Sequence, residues 1–181
     1  MTSYCDYCNT HPEDTFNKTY HDTEYGFPLK EDNLLFERLI LEINQAGLSW
    51  ITILKKADNF RSAYDGFDIE KVANYDEKEV ARLLSDAGII RNRLKVNAAI
   101  VNAQRIMELR KEHGSFMGWL DNNHPLSKDE WTKLFKKTFV FTGGEIVNEF
   151  LISTGYLSGA HDENCPSYKK VASLRPAWMR R

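Results

Sequence analysis

The sequence has few prolines and cysteines and lacks any long apolar run. Only 5 of the 181 residues are proline, and no stretch has the composition of a linker between domains. The longest uncharged, largely apolar stretch, residues 46–54, is far shorter than the roughly 20 residues that cross a bilayer. The start, MTSYCDYC, also lacks the charged and then apolar pattern of an export signal. We expect one domain over residues 1–181, in a soluble, cytoplasmic, monomeric protein.

Neither sign of charge is in large excess. Lys and Arg number 24 and Asp and Glu number 26, which gives a net charge of −2 at pH 7. A strong nonspecific nucleic-acid binder needs excess positive charge, so any nucleic-acid site must be a local patch. The 3 cysteines are an odd number in a chain with no export signal, which favours free thiols or metal ligands over disulfide bonds.

Helical periodicity dominates the sequence. The segment 32–47, DNLLFERLILEINQAG, places its apolar residues on one helical face and ends at a glycine, and Ser49 can cap a following helix. Alternating strand patterns are nearly absent, so we predict an all-α fold. Further helices are expected from Asp76 to Gly88, from Arg91 to Glu112, from Ser127 onward and from Glu145 to Ser153.

Two of these helices start with the spacing of a capping box, in which the N-cap and the third helical residue bond to each other's backbone. One pair is Asp76 and Glu79, and the other is Ser127 and Glu130. Both pairs precede apolar residues at helical spacing, which predicts a helix start at each site.

Cysteine and histidine residues lie near both ends of the chain. Cys8 and His21 are near one end, and His161 and Cys165, separated by three residues, are near the other. Two Cys and two His form a common closed tetrahedral zinc site, which would tie these loop-like ends together. Cys5 or His11 is an alternative ligand, and a chance pattern of surface residues is the other interpretation.

Glu42 lies at the edge of an apolar helix face, three residues after Leu39 and seven after Leu35. A partly desolvated carboxylate there suits a ligand that carries N–H groups or positive charge. Trp50 follows about two turns later, beyond a sharp reversal that Gly47 permits, so its ring and the carboxylate can line one pocket. A solvent-facing glutamate beside a core tryptophan is the alternative.

Two further segments are candidates for binding. Tyr20-His21-Asp22 reads as a polar aromatic loop whose tyrosines either stack on a flat ligand or cover the edge of the core. Residues 141–144, FTGG, form a glycine hairpin between two expected helices. Backbone N–H groups at such a helix start can hold a phosphate, although two adjacent glycines alone are a weak signal.

Taken together, five segments resemble the DNA-3-methyladenine glycosylase type I family: YHDTEYG (20–26), LILEINQAGLSWITILKK (39–56), DAGIIRNRLK (86–95), KTFVFTGGEI (137–146) and HDENC (161–165). The resemblance runs in order over about residues 4–165. It implies an all-helical helix-hairpin-helix DNA glycosylase with a zinc clasp that joins the N- and C-terminal segments. The basic tail, residues 166–181, lies beyond it and is either a local basic patch or a solvated tail.

The resemblance also implies roles for individual residues. Glu42 is the catalytic carboxylate that recognises the base, and the aromatic walls are Tyr20 and Trp50. Tyr25 stands where the family often has Trp, and Asn17 stands where it often has an aromatic residue. The zinc ligands fall on Cys8, His21, His161 and Cys165, with Cys8 preferred to Cys5 for its distance to His21. The expected DNA contacts are Gly47 and Leu48 in the loop that enters the duplex, and Gly143 and Gly144 in the hairpin.

The implied reaction is hydrolytic removal of 3-methyladenine from double-stranded, alkylated DNA. The damaged base must first leave the stack, at a cost of a few kcal/mol that is smaller for damaged pairs. Water then attacks the sugar; no protein nucleophile is assigned and no lyase step is expected. The alternatives are a DNA-binding module of the same fold that has lost turnover, which intact Glu42 and Trp50 argue against, and a zinc hydrolase, which four protein ligands argue against.

Overall fold

The computed structural model describes residues 2–180, and this part of the chain is helical, with no β-strand. Met1 and Arg181, the last basic residue of the tail, lie outside the described residues. No helix among residues 2–180 is long and apolar enough to cross a membrane. The helices are α1 (Tyr4–Thr10), α2 (Thr15–Thr23), α3 (Asp32–Gln45), α4 (Trp50–Ala63), α5 (Ile69–Ala73), α6 (Glu77–Ser85), α7 (Arg93–His113), α8 (Phe116–Asn123), α9 (Lys128–Thr138), α10 (Gly144–Ser153) and α11 (Pro166–Ser173).

Helix α3 lies at the centre of the hydrophobic core. Its residues Phe36, Leu39 and Ile40 are fully buried, and α4, α7, α8 and α10 pack around it. Asp32, at the start of α3, accepts hydrogen bonds from the backbone N–H groups of Phe116 and Met117 at the start of α8, at 2.9 and 3.1 Å. Because α3 is enclosed along its length and fixed at its start, the direction of every side chain at its C-terminal end is fixed as well.

The predicted α3 and α4 are confirmed. α3 ends at Gln45, two residues before Gly47, whose φ of +80° reverses the chain. α4 begins directly after Ser49, although the Ser49 hydroxyl bonds to the Thr52 hydroxyl at 2.7 Å and not to a backbone N–H. α3 and α4 therefore meet at a tight, glycine-dependent turn.

The later helices are also confirmed, with shifts at their ends. The Ser127 and Glu130 capping box at the start of α9 is present. At α6 only one of the two capping-box hydrogen bonds forms. The Asp76 side chain caps the helix, but the Glu79 side chain pairs with Arg82 at 2.6 Å. α6 ends at Ser85, before Gly88; α7 spans Arg93–His113, and α10 begins at Gly144.

The expectation of a loop is wrong for the N-terminal segment, whereas His161 and Cys165 lie in the irregular stretch between α10 and α11. Residues Tyr20, His21 and Asp22 belong to α2, whose N-cap Asp14 accepts a hydrogen bond from the Asn17 N–H. A nine-residue helix has too few apolar positions to show a period, so packing and capping decide it.

The tail is not fully solvated. Val171 and Ala177 are buried, and the backbone N–H of Trp178 donates to the Gly155 carbonyl at 3.1 Å. The basic residues of this segment remain on the surface: Lys169, Lys170, Arg175 and Arg180.

Candidate functional site

A cavity of about 300 Å³ opens where α1, α2, α3, α4 and α10 approach one another. We call it the base cavity. Its volume is at the small end of the range for ligand pockets, which suits one flat ring system. The residues that line it are Tyr4, Tyr20, Tyr25, Glu42, Gln45, Trp50 and Glu149.

Aromatic rings form one side of the base cavity. Tyr20 projects from α2 and Trp50 is the first residue of α4, and their ring centroids are 5.2 Å apart at an interplanar angle of 58°. Tyr25 extends this wall, 5.6 Å from Tyr20, and Tyr4 lies edge-on to Tyr25 at 5.4 Å. Such rings provide apolar faces on which a planar ligand can stack.

The carboxylate of Glu42 lies in this cavity. The residue is 4% exposed, and within residues 2–180 its carboxylate has no hydrogen-bond partner. Burial, reinforced by the negative charge of Glu149 and opposed by Arg38, raises the pKa of Glu42 to about 8. Because an unpaired buried carboxylate is unfavourable, this group is suited to a ligand that brings N–H donors or positive charge.

Arg38 lies one turn before Glu42 on α3 but is engaged elsewhere. Its guanidinium donates to the Ser153 carbonyl at 3.0 Å and lies 5.2 Å from the centre of the Tyr20 ring. It therefore fixes the Tyr20 ring and the end of α10, and it leaves the Glu42 carboxylate without an ion pair.

The turn after α3 presents Gly47 and Leu48 at the surface. Leu48 is 38% exposed, and its carbonyl accepts a hydrogen bond of 2.7 Å from the Gln45 side chain. The buried Lys95 supports this turn from α7, because its ammonium donates to the carbonyls of Asn44 and Ala46, both at 2.8 Å. Three hydrogen bonds from the side chains of Gln45 and Lys95 thus hold the turn, while an apolar side chain remains at its tip.

The glycine hairpin between α9 and α10 is held by another residue of α7. The buried Asn102 side chain donates to the Val140 carbonyl at 3.0 Å and accepts from the Val140 N–H at 2.9 Å. Gly143 is the N-cap of α10 and Gly144 is its first residue, and no side chain caps this helix. A Cβ atom added at Gly143 would meet nothing within 4 Å, so the backbone here is open to an approaching group.

The turn and the hairpin face each other across a groove, which we call the hairpin groove. One side is formed by Gln45, Ala46 and Gly47, and the other by residues 143–146 and Glu149. Glu149 and Gln45 line the base cavity as well. The hairpin groove therefore continues into the base cavity, with Glu149 at the junction.

Beside the base cavity, four buried side chains form a potential metal site: Cys5, His21, His161 and Cys165. Their ligand atoms all lie within 4.8 Å of one another. The Cys5 sulfur is 3.3 Å from His21 Nε2 and 3.6 Å from His161 Nδ1, and the two histidine nitrogens are 3.2 Å apart. These separations match the edges of a tetrahedron with zinc bonds of about 2.0–2.3 Å.

The structure groups Cys5, and not the predicted Cys8, with His21, His161 and Cys165. The Ser3 hydroxyl bonds to the Asp162 carboxylate at 2.5 Å, and the Asp162 N–H approaches the Cys5 sulfur at 3.3 Å. These contacts hold the first turn of α1 against the distal segment. Cys8 lies one turn later, where its thiol contacts the Asn17 carbonyl at 3.7 Å. His11 is exposed and stacks on Tyr7, so it is not part of the cluster.

The neighbours of both histidines orient them for metal binding. His21 Nδ1 is 2.7 Å from the Asp22 carboxylate, and His161 Nε2 is 2.6 Å from the Tyr25 carbonyl. Each contact leaves the other ring nitrogen to face the cysteines, as outer partners of metal-bound histidines commonly do. The donor set therefore fits a closed zinc site.

Several residues of the site were not predicted from the sequence. Tyr4 and Gln45 lack a pattern that could have identified them, and Lys95 and Asn102 act through contacts distant in sequence. The position of Glu149 could have been predicted from helical spacing. It follows Ile146 by three residues and precedes the buried Phe150, so it lies at the edge of an apolar face as Glu42 does.

Comparison with known proteins finds relatives that match most of this sequence. The sequence profile of the methyladenine glycosylase family matches residues 9–133. The chain is 37% identical over 180 residues to DNA-3-methyladenine glycosylase 1 of Escherichia coli K12, covering 89% of this chain and 96% of that protein.

Solved structures agree as well. The structure of 3-methyladenine DNA glycosylase I from Staphylococcus aureus, described as the basis of 3-methyladenine recognition, has a TM-score of 0.81 and 31% identity over 92% of this chain and 98% of that one. A variant of 3-methyladenine DNA glycosylase I in complex with 3-methyladenine has a TM-score of 0.80 and 30% identity, over 89% and 96% of the two chains.

Proposed function

The chain belongs to the methyladenine glycosylase family, and from that premise we propose how its residues perform the reaction. The activity is the base-excision removal of 3-methyladenine from alkylated DNA. We propose that residues 1–181 form one domain for this purpose and that it acts as a monomer on double-stranded DNA. The observation that supports the assignment best is Glu42, a buried carboxylate without a partner in an aromatic cavity.

The base cavity would receive the flipped base. Stacking on Tyr20 and Trp50 contributes roughly 1–3 kcal/mol per base, whatever the identity of the base. Glu42 supplies the selectivity, because its carboxylate accepts hydrogen bonds from N–H groups and favours a base that is already cationic. A neutral base without those donors would leave the carboxylate buried and unpaired.

The turn after α3 and the glycine hairpin would hold the duplex. Leu48 is exposed at the tip of the turn and is apolar, so it can fill the space that the flipped base vacates. Gly143 and Gly144 begin α10 without a capping side chain, which leaves N–H groups for a phosphate. Gly47 permits the left-handed backbone that brings Leu48 to the surface.

Hydrolysis needs no covalent intermediate with the protein. Within residues 2–180, no lysine lines the base cavity, and the Lys95 ammonium is occupied by two carbonyls. Among these residues no lysine amine is therefore placed in the base cavity to form a Schiff base, which supports a glycosylase without a lyase step. The electron pair of the bond between C1′ and the base leaves with the base, and a water oxygen bonds to C1′.

A structural zinc ion would be held by Cys5, His21, His161 and Cys165. With four protein ligands it would have no open coordination position, so its contribution is to join the two chain ends. This position next to Tyr20 and Tyr25 would fix the aromatic wall of the base cavity.

The proposal is tested by release of free 3-methyladenine from methylated duplex DNA. Wild-type protein should release it and Glu42→Ala should release far less, at unchanged thermal stability. A wild-type protein that binds the duplex but releases no base would support the alternative, a DNA-binding module without turnover.

A further inference from the structure

Glu149 occupies a position that the base-recognition scheme does not use. It lies on α10, 5 residues after the first residue of that helix, and it is half-buried. The Tyr25 hydroxyl lies 3.4 Å from one of its carboxylate oxygens. It lines the base cavity together with Glu42 and the hairpin groove together with Gly47 and Gly143.

This junction is where the sugar of a flipped nucleotide must pass. In the proposed function, the base occupies the base cavity and the backbone phosphates lie along the glycine hairpin. The deoxyribose connects the two, and the hairpin groove continues into the base cavity at Glu149. A carboxylate at that point faces the sugar, whereas Glu42 lies among the aromatic rings.

We propose that Glu149 is a second catalytic carboxylate, which faces C1′ of the flipped nucleotide and accepts a proton from the attacking water. This inference rests on the proposed function. As the bond from C1′ to the base breaks, its electron pair leaves with the cationic base, which becomes neutral. The water oxygen bonds to C1′, and one water proton passes to Glu149. Its negative charge also stabilises the positive charge that develops on the sugar.

The carboxylates of Glu149 and Glu42 differ in burial and in their charged neighbours. Burial raises the pKa of Glu149, and Glu145 acts in the same direction, while the Tyr25 hydroxyl and Lys128 oppose both. Glu42 is more deeply buried, and the negative charge of Glu149 raises its pKa. Glu149 is thus the less buried carboxylate of the pair, and burial opposes its charged form less than that of Glu42, which favours Glu149 as the proton acceptor.

The test is single-turnover excision of 3-methyladenine from methylated duplex DNA by wild type and Glu149→Gln, with binding of free 3-methyladenine measured in parallel. We expect the excision rate of Glu149→Gln to fall about 100-fold, at the lower end of what a general base contributes because the leaving group is already cationic. Affinity for the free base should stay within about 2-fold, since no sugar is present.

A matched control is Glu108→Gln, which makes the same change in charge on the exposed surface of α7 and should excise at the wild-type rate. The pH profile adds a second measurement. The wild-type rate should fall at low pH as Glu149 is protonated, and Tyr25→Phe should move this fall to higher pH because it removes a hydrogen-bond donor to the carboxylate.

Three results would overturn the inference. One is a wild-type rate in Glu149→Gln; another is an equal loss of excision and free-base affinity, which would place Glu149 at the base. The third is a Tyr25→Phe pH profile that coincides with the wild-type profile. A wild-type protein that releases no 3-methyladenine would instead contradict the proposed function, on which the inference rests.

Discussion

Glu42 is a residue that a soluble protein would ordinarily place in water. Its position three residues after Leu39, on a helix enclosed by the core, puts it inside. Burial of an unpaired carboxylate costs free energy, which is partly avoided in the free protein by its raised pKa. A ligand whose N–H groups donate hydrogen bonds to this carboxylate removes the unfavourable burial. The same residue therefore both destabilises the empty protein and selects its ligand.

Replacement of Glu42 by Gln should reduce excision. Gln keeps the size and one acceptor oxygen but removes the charge and adds a donor, so a charge-assisted contact of roughly 1.5–3 kcal/mol is lost. That energy corresponds to roughly a 10- to 150-fold loss in 3-methyladenine release or base binding. Paired assays of base release and of Tm would check this. Excision at the wild-type level would rule out the recognition role, and equal losses of activity and stability would make Glu42 a structural residue.

The stability of the same variant should depend on pH differently from that of wild type. The pKa of Glu42 is about 8 in the folded protein against an ordinary value of 4.5, so between these values the folded state binds more protons than the unfolded state. Wild-type stability therefore decreases as the pH rises through this window. Gln does not titrate, so the Tm of Glu42→Gln minus that of wild type should increase from pH 5 to pH 8. A constant difference would mean that Glu42 ionises at its ordinary pKa.

At the scale of elements, α7 connects the two loops that we place against DNA. Lys95 and Asn102 are seven residues apart, two turns on the same helical face. One holds the turn after α3 through the carbonyls of Asn44 and Ala46, and the other holds the hairpin through Val140. The distance between turn and hairpin is therefore set by a buried helix and not by the loops themselves.

Placing an aspartate at Gly143 should weaken DNA binding without loss of stability. Its φ of −69° suits any residue and its Cβ meets nothing within 4 Å, and aspartate is a good N-cap for α10. The same carboxylate would repel a phosphate at the helix start. We expect a loss of affinity of about 10-fold or more for damaged and undamaged duplexes alike, which is about 1.4 kcal/mol.

The control for Gly143→Asp is Gln104→Glu, which adds the same charge on the face of α7 opposite Asn102, where Gln104 bonds to the Ala73 carbonyl at the end of α5 at 3.0 Å. It should bind DNA as wild type does. If both variants bind as wild type does in low salt, where the electrostatic contribution is largest, the hairpin does not contact the backbone.

At the scale of the whole molecule, the cluster of Cys5, His21, His161 and Cys165 joins residues at opposite ends of the chain. His21 is adjacent to Tyr20, and His161 bonds to the Tyr25 carbonyl. The two chain ends therefore position two of the rings in the base cavity, although none of the four ligands lines it.

Metal analysis should find about one zinc per chain, and loss of a ligand should destabilise the fold. We expect Cys5→Ser and Cys165→Ser to lose the metal and about 3 kcal/mol of stability, a decrease in Tm of roughly 6–12 °C for a domain of this size. Cys8→Ser is the matched control, because Cys8 is equally buried but lies outside the cluster. Retention of zinc by Cys5→Ser together with its loss from Cys8→Ser would reverse the assignment.

Local sequence patterns predict the all-α fold, the helices α3, α4, α7, α9 and α10, and the position of Glu42 at the edge of an apolar face. These features depend on local spacing, which repeats every 3.6 residues whatever the helix packs against. The residue patterns alone offer Tyr20, Trp50, the cysteine and histidine positions and the glycine hairpin as candidates, and the family resemblance assigns their roles and adds Gly47 and Leu48 as DNA contacts.

The three-dimensional fold selects the cysteine that lies beside His21, because Cys5 and Cys8 occupy one short helix and the choice depends on contacts with Asp162, far along the chain. It also decided that α2 is a helix and that Lys95 and Asn102 support the two loops. The position of Glu149 at the junction of the base cavity and the hairpin groove also depends on the tertiary structure, because its neighbours come from α3 and the segment after α2. Such pairings join residues distant in sequence, and no local period encodes them.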